Sequence, residues 1–155
     1  MNRRGSNERE DVAPLETLCR DWGVAALFAF GSRAAEAAER LAEGRCQLDP
    51  SNSADLDIGV FPHTGRHWDV RDKVRLAAEL EDLFGIGRVD LVVLPEASAF
   101  LAVEVVSGEL LFDASPADTD EYVLYVLRRA GDLLPFERYR RSAILTGGEE
   151  GGAAA

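Results

Sequence analysis

The chain has 155 residues, which at a usual domain size of about 150 predicts one compact domain. Hydrophobic residues make up 46% and charged residues 29%, ordinary globular usage that supplies a core without disulfide staples. Seventeen basic side chains against 28 acidic ones leave a net charge of −11, which repels phosphate backbones; with no concentrated basic stripe in the sequence, direct nucleic-acid binding is not expected. The longest apolar run, Val24 to Phe30, is seven residues, and a membrane span needs about 20. The opening MNRRGSNERE has no apolar stretch behind its basic residues, so no secretory signal is read there and the cytoplasm is the expected compartment. Cys19 and Cys46 are too few and too distant for a zinc knuckle or a disulfide framework; both are read as reduced, Cys19 in the core and Cys46 in a loop.

Residues 1–10 are polar and charged, and 147–155 read GGEEGGAAA, so both ends are expected to be disordered, flanking one domain over 11–146. Leu15, Leu18, Cys19 and Trp22 share a helical face that Gly23 stops. Val24 to Phe30 reads as a buried strand. Strong helix formers from Arg33 to Glu43, closed by Gly44, predict a helix starting at Ser32. Arg45 to Ser53 is dense in turn formers and predicts a surface loop. Alternation from Ala54 to Phe61 predicts a second strand. Asp69 then caps a helix whose face carries Val70, Val74, Ala77, Leu80, Leu83 and Phe84, ended by the GIG at 85–87. Val89 to Leu94 forms a third strand stopped by Pro95, Ala97 to Val106 a short helix, and Leu110 to Phe112 a fourth strand. Ser115-Pro116-Ala117-Asp118 opens a long helix carrying Tyr122, Val123, Val126, Leu127 and Ala130, with a second segment after Gly131 bearing Phe136, Tyr139 and Ile144. The alternation of helices and strands gives an α/β (α+β) class, a small mixed sheet with helices packed on it.

Three places carry chemistry. At Gly31-Ser32 a buried strand hands over to a helix, leaving unpaired N–H groups and a positive dipole end that suit a phosphate; the same pair also suits an ordinary serine cap. Asp55 and Asp57 are two residues apart on a strand and so share a face. At about 4 Å two such charges repel by about 4 kcal/mol at an effective dielectric near 20, a penalty that a divalent cation removes. A solvated acidic edge strand is the other reading. Asp90 interrupts the apolar run Val89 to Leu94, where an unpaired carboxylate is costly unless a cation faces it or the strand end is open to solvent. Taken together, the phosphate corner, the paired acids and the third acid describe metal-dependent phosphoryl or nucleotidyl transfer.

Phe30-Gly31-Ser32-Arg33-Ala34, Ser53-Ala54-Asp55-Leu56-Asp57-Ile58 and Val89-Asp90-Leu91-Val92 together resemble the DNA-polymerase-beta-type nucleotidyltransferase superfamily. More narrowly they are similar to its minimal nucleotidyltransferases, among them the MntA-type antitoxin branch. The resemblance covers about residues 15 to 140 and implies that fold. It implies that Gly31 and Ser32 bind nucleotide phosphates, that Asp55 and Asp57 hold two Mg²⁺ ions (Mn²⁺ being an alternative), and that Asp90 completes the metal site and helps activate the acceptor. Arg33 is a further candidate for the triphosphate. One departure is the spacing: 22 residues, 33 to 54, separate Ser32 from Asp55 where the family has about ten, an insertion that a longer helix and surface loop absorb at small closure cost.

The resemblance further implies an enzyme that transfers AMP from ATP, and in the antitoxin branch the acceptor is a tyrosine of a HEPN-type ribonuclease toxin that the antitoxin binds and neutralises. The chain leaves no room for a separate acceptor domain, so a partner protein with a basic face, in a hetero-oligomer or homo-oligomer, fits the acidic field. Two alternatives stay open: a catalytically silent antitoxin acting by binding alone, and an aminoglycoside-type small-molecule nucleotidyltransferase. His63 and His67 flank Thr64-Gly65 and read as loop residues rather than a zinc pair. Lys73, the one lysine, is expected on a helix surface.

Overall fold

The computed structural model describes the backbone of residues 13–149, with side chains to residue 134. In chain order the elements are α1 (Ala13–Trp22), β1 (Val24–Phe30), a 3-10 turn (Gly31–Arg33), α2 (Ala34–Ala42), β2 (Leu56–Pro62), α3 (Val70–Phe84), β3 (Val89–Val93), a 3-10 turn (Leu94–Glu96), α4 (Ala99–Val106), β4 (Glu109–Asp113) and α5 (Pro116–Glu149). The four strands form one sheet in the order β3-β2-β1-β4. β1 is antiparallel to both β2 and β4, whereas β2 and β3 are parallel. The expected small mixed sheet with packed helices is what the chain adopts.

β1 is central and covered on both faces, which is why its seven residues are apolar throughout and all buried. Leu27 and Ala29 join a core with Leu15 and Cys19 of α1, Ala34 and Ala37 of α2, and Leu76, Leu80 and Phe84 of α3. Ala26, Phe28 and Phe30 face the other way, onto Ala102 and Val105 of α4 and Val126 of α5. β2 alternates with period two: Leu56, Ile58 and Val60 enter the first core, so Asp57 and Gly59 turn to the α4 side. Gly59 is required there, because a Cβ at that position would strike the Val105 side chain.

Several boundaries differ from the sequence expectations for identifiable reasons. α3 is capped as expected, with Asp69 and Asp72 forming a reciprocal capping box, and ends in a left-handed Gly85. Its buried face, however, is Leu76, Leu80 and Phe84, while Val70 and Val74 stand 76% and 64% exposed. The i, i+4, i+8 row of Leu76, Leu80 and Phe84 joins the core with β1 and β2, whereas Val70 and Val74 belong to neither core cluster. α5 runs unbroken through Gly131, where two segments were expected; a helical glycine costs only about 1 kcal/mol and does not force a break. The helix reaches Glu149, three residues into the expected tail. The rest of that tail, the expected disorder of residues 1–10, and the side chains of Phe136, Tyr139 and Ile144 lie outside the described residues. Cys19 is wholly buried; Cys46 is in a loop, as expected, yet its side chain is in the core. Among the described residues no helix is long and apolar enough to cross a membrane.

Candidate active site

The site begins where β1 ends. Gly31 has φ +75°, a left-handed conformation that turns the chain out of the strand, and a Cβ there would collide with Asp57 Oδ2. The glycine therefore serves both the turn and the approach of the carboxylate. Ser32 is exposed, and neither the 3-10 turn nor α2 has a side-chain cap, so Ser32 does not act as a helix cap. The first N–H groups of a helical segment have no intrahelical partner. At this corner they belong to Gly31 and Ser32, in the 3-10 turn that leads into the positive end of α2.

The acids are assembled by strand pairing. Phe30 is the antiparallel partner of Asp57, which places the acid beside the Gly31 turn. Asp57 is in turn the parallel partner of Asp90, so the two carboxylates leave the same face of neighbouring strands. Asp55 lies one residue ahead of β2 instead of inside it, but keeps its place two residues from Asp57. All three acids are half-buried. Burial, and then the negative charges of Asp90, Asp55 and Glu104 in that order, push the Asp57 carboxyl above the ordinary aspartate range.

Two neighbours were not singled out from the sequence. Glu104 on α4 adds a fourth negative charge to the field at Asp57; its position depends on α4 packing over Gly59, which no local signal announces. Arg88 lies between the acids, with Nη2 3.2 Å from Asp90 Oδ1 and Nε 3.7 Å from Asp55 Oδ2. Its spacing of two from Asp90 was the available clue, since alternate strand residues share a face.

Arg33 corrects an expectation. It is 1% exposed, and its guanidinium points into the protein, away from any triphosphate. Nε donates to Glu36 Oε2 at 3.0 Å; Nη1 donates to the carbonyls of Asn52 and Ala54 at 3.1 and 3.0 Å; Nη2 donates to Glu36 Oε1 and the Asp49 carbonyl at 3.1 and 3.0 Å. All five guanidinium donors are thereby used, and none is left for a phosphate. Glu36 completes the knot by accepting from the Asp49 N–H at 2.6 Å, and the Arg33 hydrogen bond is the main cause holding its carboxyl below the usual glutamate range.

Three carboxylates supply only hard oxygen donors, the set that suits Mg²⁺ or Mn²⁺, and the like-charge pressure on Asp57 is what a cation would relieve. The donors fit such an ion in kind. Among the described residues no three His, Cys, Asp or Glu side chains are already gathered into a ligand shell; at present the Arg88 guanidinium is the cation that Asp55 and Asp90 share. An open cavity of about 870 Å³ against α1 and α3 is lined by Trp22, Arg66 and Arg75 and contains none of these acids. The candidate chemistry belongs to the sheet end instead.

The model of the polymerase beta nucleotidyltransferase family matches residues 15–117, a span from α1 to the start of α5 that includes the Gly31 turn and all three acids. The chain belongs to that family. Among solved structures it is similar to a toxin–antitoxin crystallised with AMP-PNP, at 21% identity over 86% of this chain and 97% of that one, with a TM-score of 0.65. It is also similar to a structure of a tri-AMPylated Shewanella oneidensis HEPN toxin in complex with MNT antitoxin, at 20% identity over 89% of this chain and 98% of that one, TM-score 0.62. A MntA–HpeT toxin–antitoxin mutant aligns at 20% identity over 90% and 98%, TM-score 0.64. At such identities the likeness is one of fold. No curated protein matches the sequence.

Proposed function

We propose that the chain is an antitoxin nucleotidyltransferase that acts in the cytoplasm, binds a HEPN-type ribonuclease toxin and neutralises it by transferring AMP from ATP to one of its tyrosines. The observation that carries the reading is the register of Asp57 against Asp90, with the Gly31 turn closed over Asp57. Family membership supports the transferase class. The fold shared with an AMP-PNP-bound toxin–antitoxin and with an antitoxin in complex with an AMPylated HEPN toxin supports the donor and the partner.

In this mechanism the N–H groups at Gly31 and Ser32, with the Ser32 hydroxyl, bind and orient the triphosphate. Asp55, Asp57 and Asp90 would hold two Mg²⁺ ions, which supply Lewis acidity and neutralise charge on the phosphates when bound. The tyrosine oxygen attacks the α-phosphorus, its proton passes to the Asp90 carboxylate, and the bond to the β-phosphate breaks to release pyrophosphate. Partner recognition draws on the net charge of −11 and on α5, where Leu124, Tyr125, Leu127, Leu133 and Leu134 are exposed.

The test uses purified protein, Mg²⁺, α-labelled ATP and the product of the neighbouring gene, which this reading expects to be a HEPN-type chain. Label on a toxin tyrosine, lost with Asp57→Asn, is the expected result. Normal binding without label would overturn the transferase reading of the pair.

A further inference from the structure

The insertion between Ser32 and Asp55 ends on the residue that must present the first acid, so something has to fix its path. Its middle is pinned by the core, through Cys46, Leu48 and the Leu48 N–H bond to the Phe84 carbonyl at 2.9 Å. Its last stretch, residues 49–54, is exposed or half-exposed and contributes no side chain to either core. That stretch is held by Arg33 instead. The guanidinium collects the carbonyls of Asp49, Asn52 and Ala54, Glu36 takes the Asp49 N–H, and the Asn52 side chain accepts from the Ala54 N–H at 3.0 Å. Ala54 is the residue before Asp55, and Arg33 is the residue after Ser32.

We propose that Arg33 is a positioning residue: by tying residues 49–54 to the Gly31–Arg33 turn, it sets Asp55 at a fixed place relative to Asp57, Asp90 and the phosphate-facing corner. The inference rests on the proposed reading of those acids as cation ligands. It reassigns the arginine from touching the nucleotide to holding the backbone that carries a ligand, and it accounts for the tolerance of a long insertion. Planar geometry explains the choice of residue. Five donors in one plane can gather three carbonyls and a carboxylate at once, whereas an ammonium has three donors on a flexible stem. Arg33 reaches Asp55 only through the main chain, so its effect appears in how well the acids act together.

The experiment titrates the full chain with MnCl₂ by calorimetry and follows amide hydrogen exchange over residues 49–54, for the wild type, Arg33→Lys and Glu36→Gln. In Arg33→Lys we expect faster exchange in that stretch and Mn²⁺ binding weakened about tenfold, the effect typical of losing an outer-shell support. Glu36→Gln keeps the arginine but replaces one of the two accepting oxygens with an NH₂ and removes the charge; it should move both readouts the same way to a smaller extent, and it carries the test alone if Arg33→Lys does not fold. A purely structural role would lower the melting temperature and leave the Mn²⁺ affinity of the folded protein in place. Fast exchange with Mn²⁺ affinity within about twofold of wild type therefore overturns the inference, as does unchanged exchange. A wild-type chain that binds no Mn²⁺ overturns the metal reading of the acids itself, a failure visible before any variant is compared.

Discussion

Asp57 and Asp90 sit directly opposite each other on the parallel β2–β3 ladder, so their carboxylates leave one face of two strands about 4.8 Å apart. A core has no use for that arrangement. The penalty shows in the raised Asp57 carboxyl, set first by burial and then by Asp90. Removing one charge should therefore help the fold while harming the site. In Asp57→Asn, the metal-free protein is expected to melt about 2–4 °C higher at neutral pH, the shift that about 1 kcal/mol gives in a chain of this size. The same variant should lose the further stabilisation that MnCl₂ gives the wild type. Thermal melts with and without Mn²⁺ check both halves.

Gly31 couples the turn to the acid, which makes Gly31→Ala more damaging than its size suggests. An alanine there meets a positive φ, costing about 1–2 kcal/mol, and its methyl group displaces the Asp57 carboxylate. The expected outcome is a folded protein, melting a few degrees lower, with ATP binding and any transfer activity lost. Calorimetry with Mg²⁺ and ATP checks it. Retention of wild-type affinity would mean that Asp57 has room to move and that the close approach is incidental.

Much of this was legible in the chain itself, and the part that was not has a common cause. β1 could be read from Val24 to Phe30 because a strand covered on both faces is apolar throughout; α3 could be read because Asp69 and Gly85 punctuate it. Asp55 and Asp57 stand out as like charges two residues apart, and Asp90 because a carboxylate in an apolar strand needs a reason. Arg33 reads from the sequence as a phosphate ligand because its true partners are mainly carbonyls 16 to 21 residues away, and carbonyl groups leave no mark in a sequence. Val70 and Val74 read as buried for a related reason: periodicity gives a helix its stripe, but only tertiary packing decides which turns of that stripe are covered. Glu104 entered the site through packing of α4 on Gly59, again a contact made between distant parts of the chain.

The Arg33–Glu36 knot also predicts how stability responds to acid. The carboxyl of Glu36 is held below its ordinary range chiefly by the hydrogen bond from Arg33. A carboxylate with a depressed folded pKa binds fewer protons when folded than when unfolded, so its contribution is complete above the unfolded value and disappears as pH falls through the folded one. Wild-type stability should therefore fall as pH drops below the ordinary glutamate range, and Glu36→Gln should be less stable at pH 7 with a shallower loss over that interval. Urea midpoints measured from pH 7 to pH 3 give the comparison; parallel curves for the two proteins would mean that the pair adds nothing to folding.

Arg88 offers the converse experiment to the loss of an acid. Its guanidinium spans Asp90 and Asp55 from an exposed position, where an ion pair is worth at most about 1 kcal/mol. Removing it should leave the fold nearly untouched, yet it strips the positive charge with which a divalent ion must compete for the same oxygens. Arg88→Gln is therefore expected to melt within about 2 °C of wild type. Its Mn²⁺ affinity should rise by a factor of about 5, corresponding to about 1 kcal/mol. Titration with MnCl₂ at low and high salt separates this from a general field effect, since a contact competitor keeps its influence when distant charges are screened. Weaker Mn²⁺ binding in the variant would give Arg88 the opposite role, that of holding Asp55 and Asp90 in a ligating geometry.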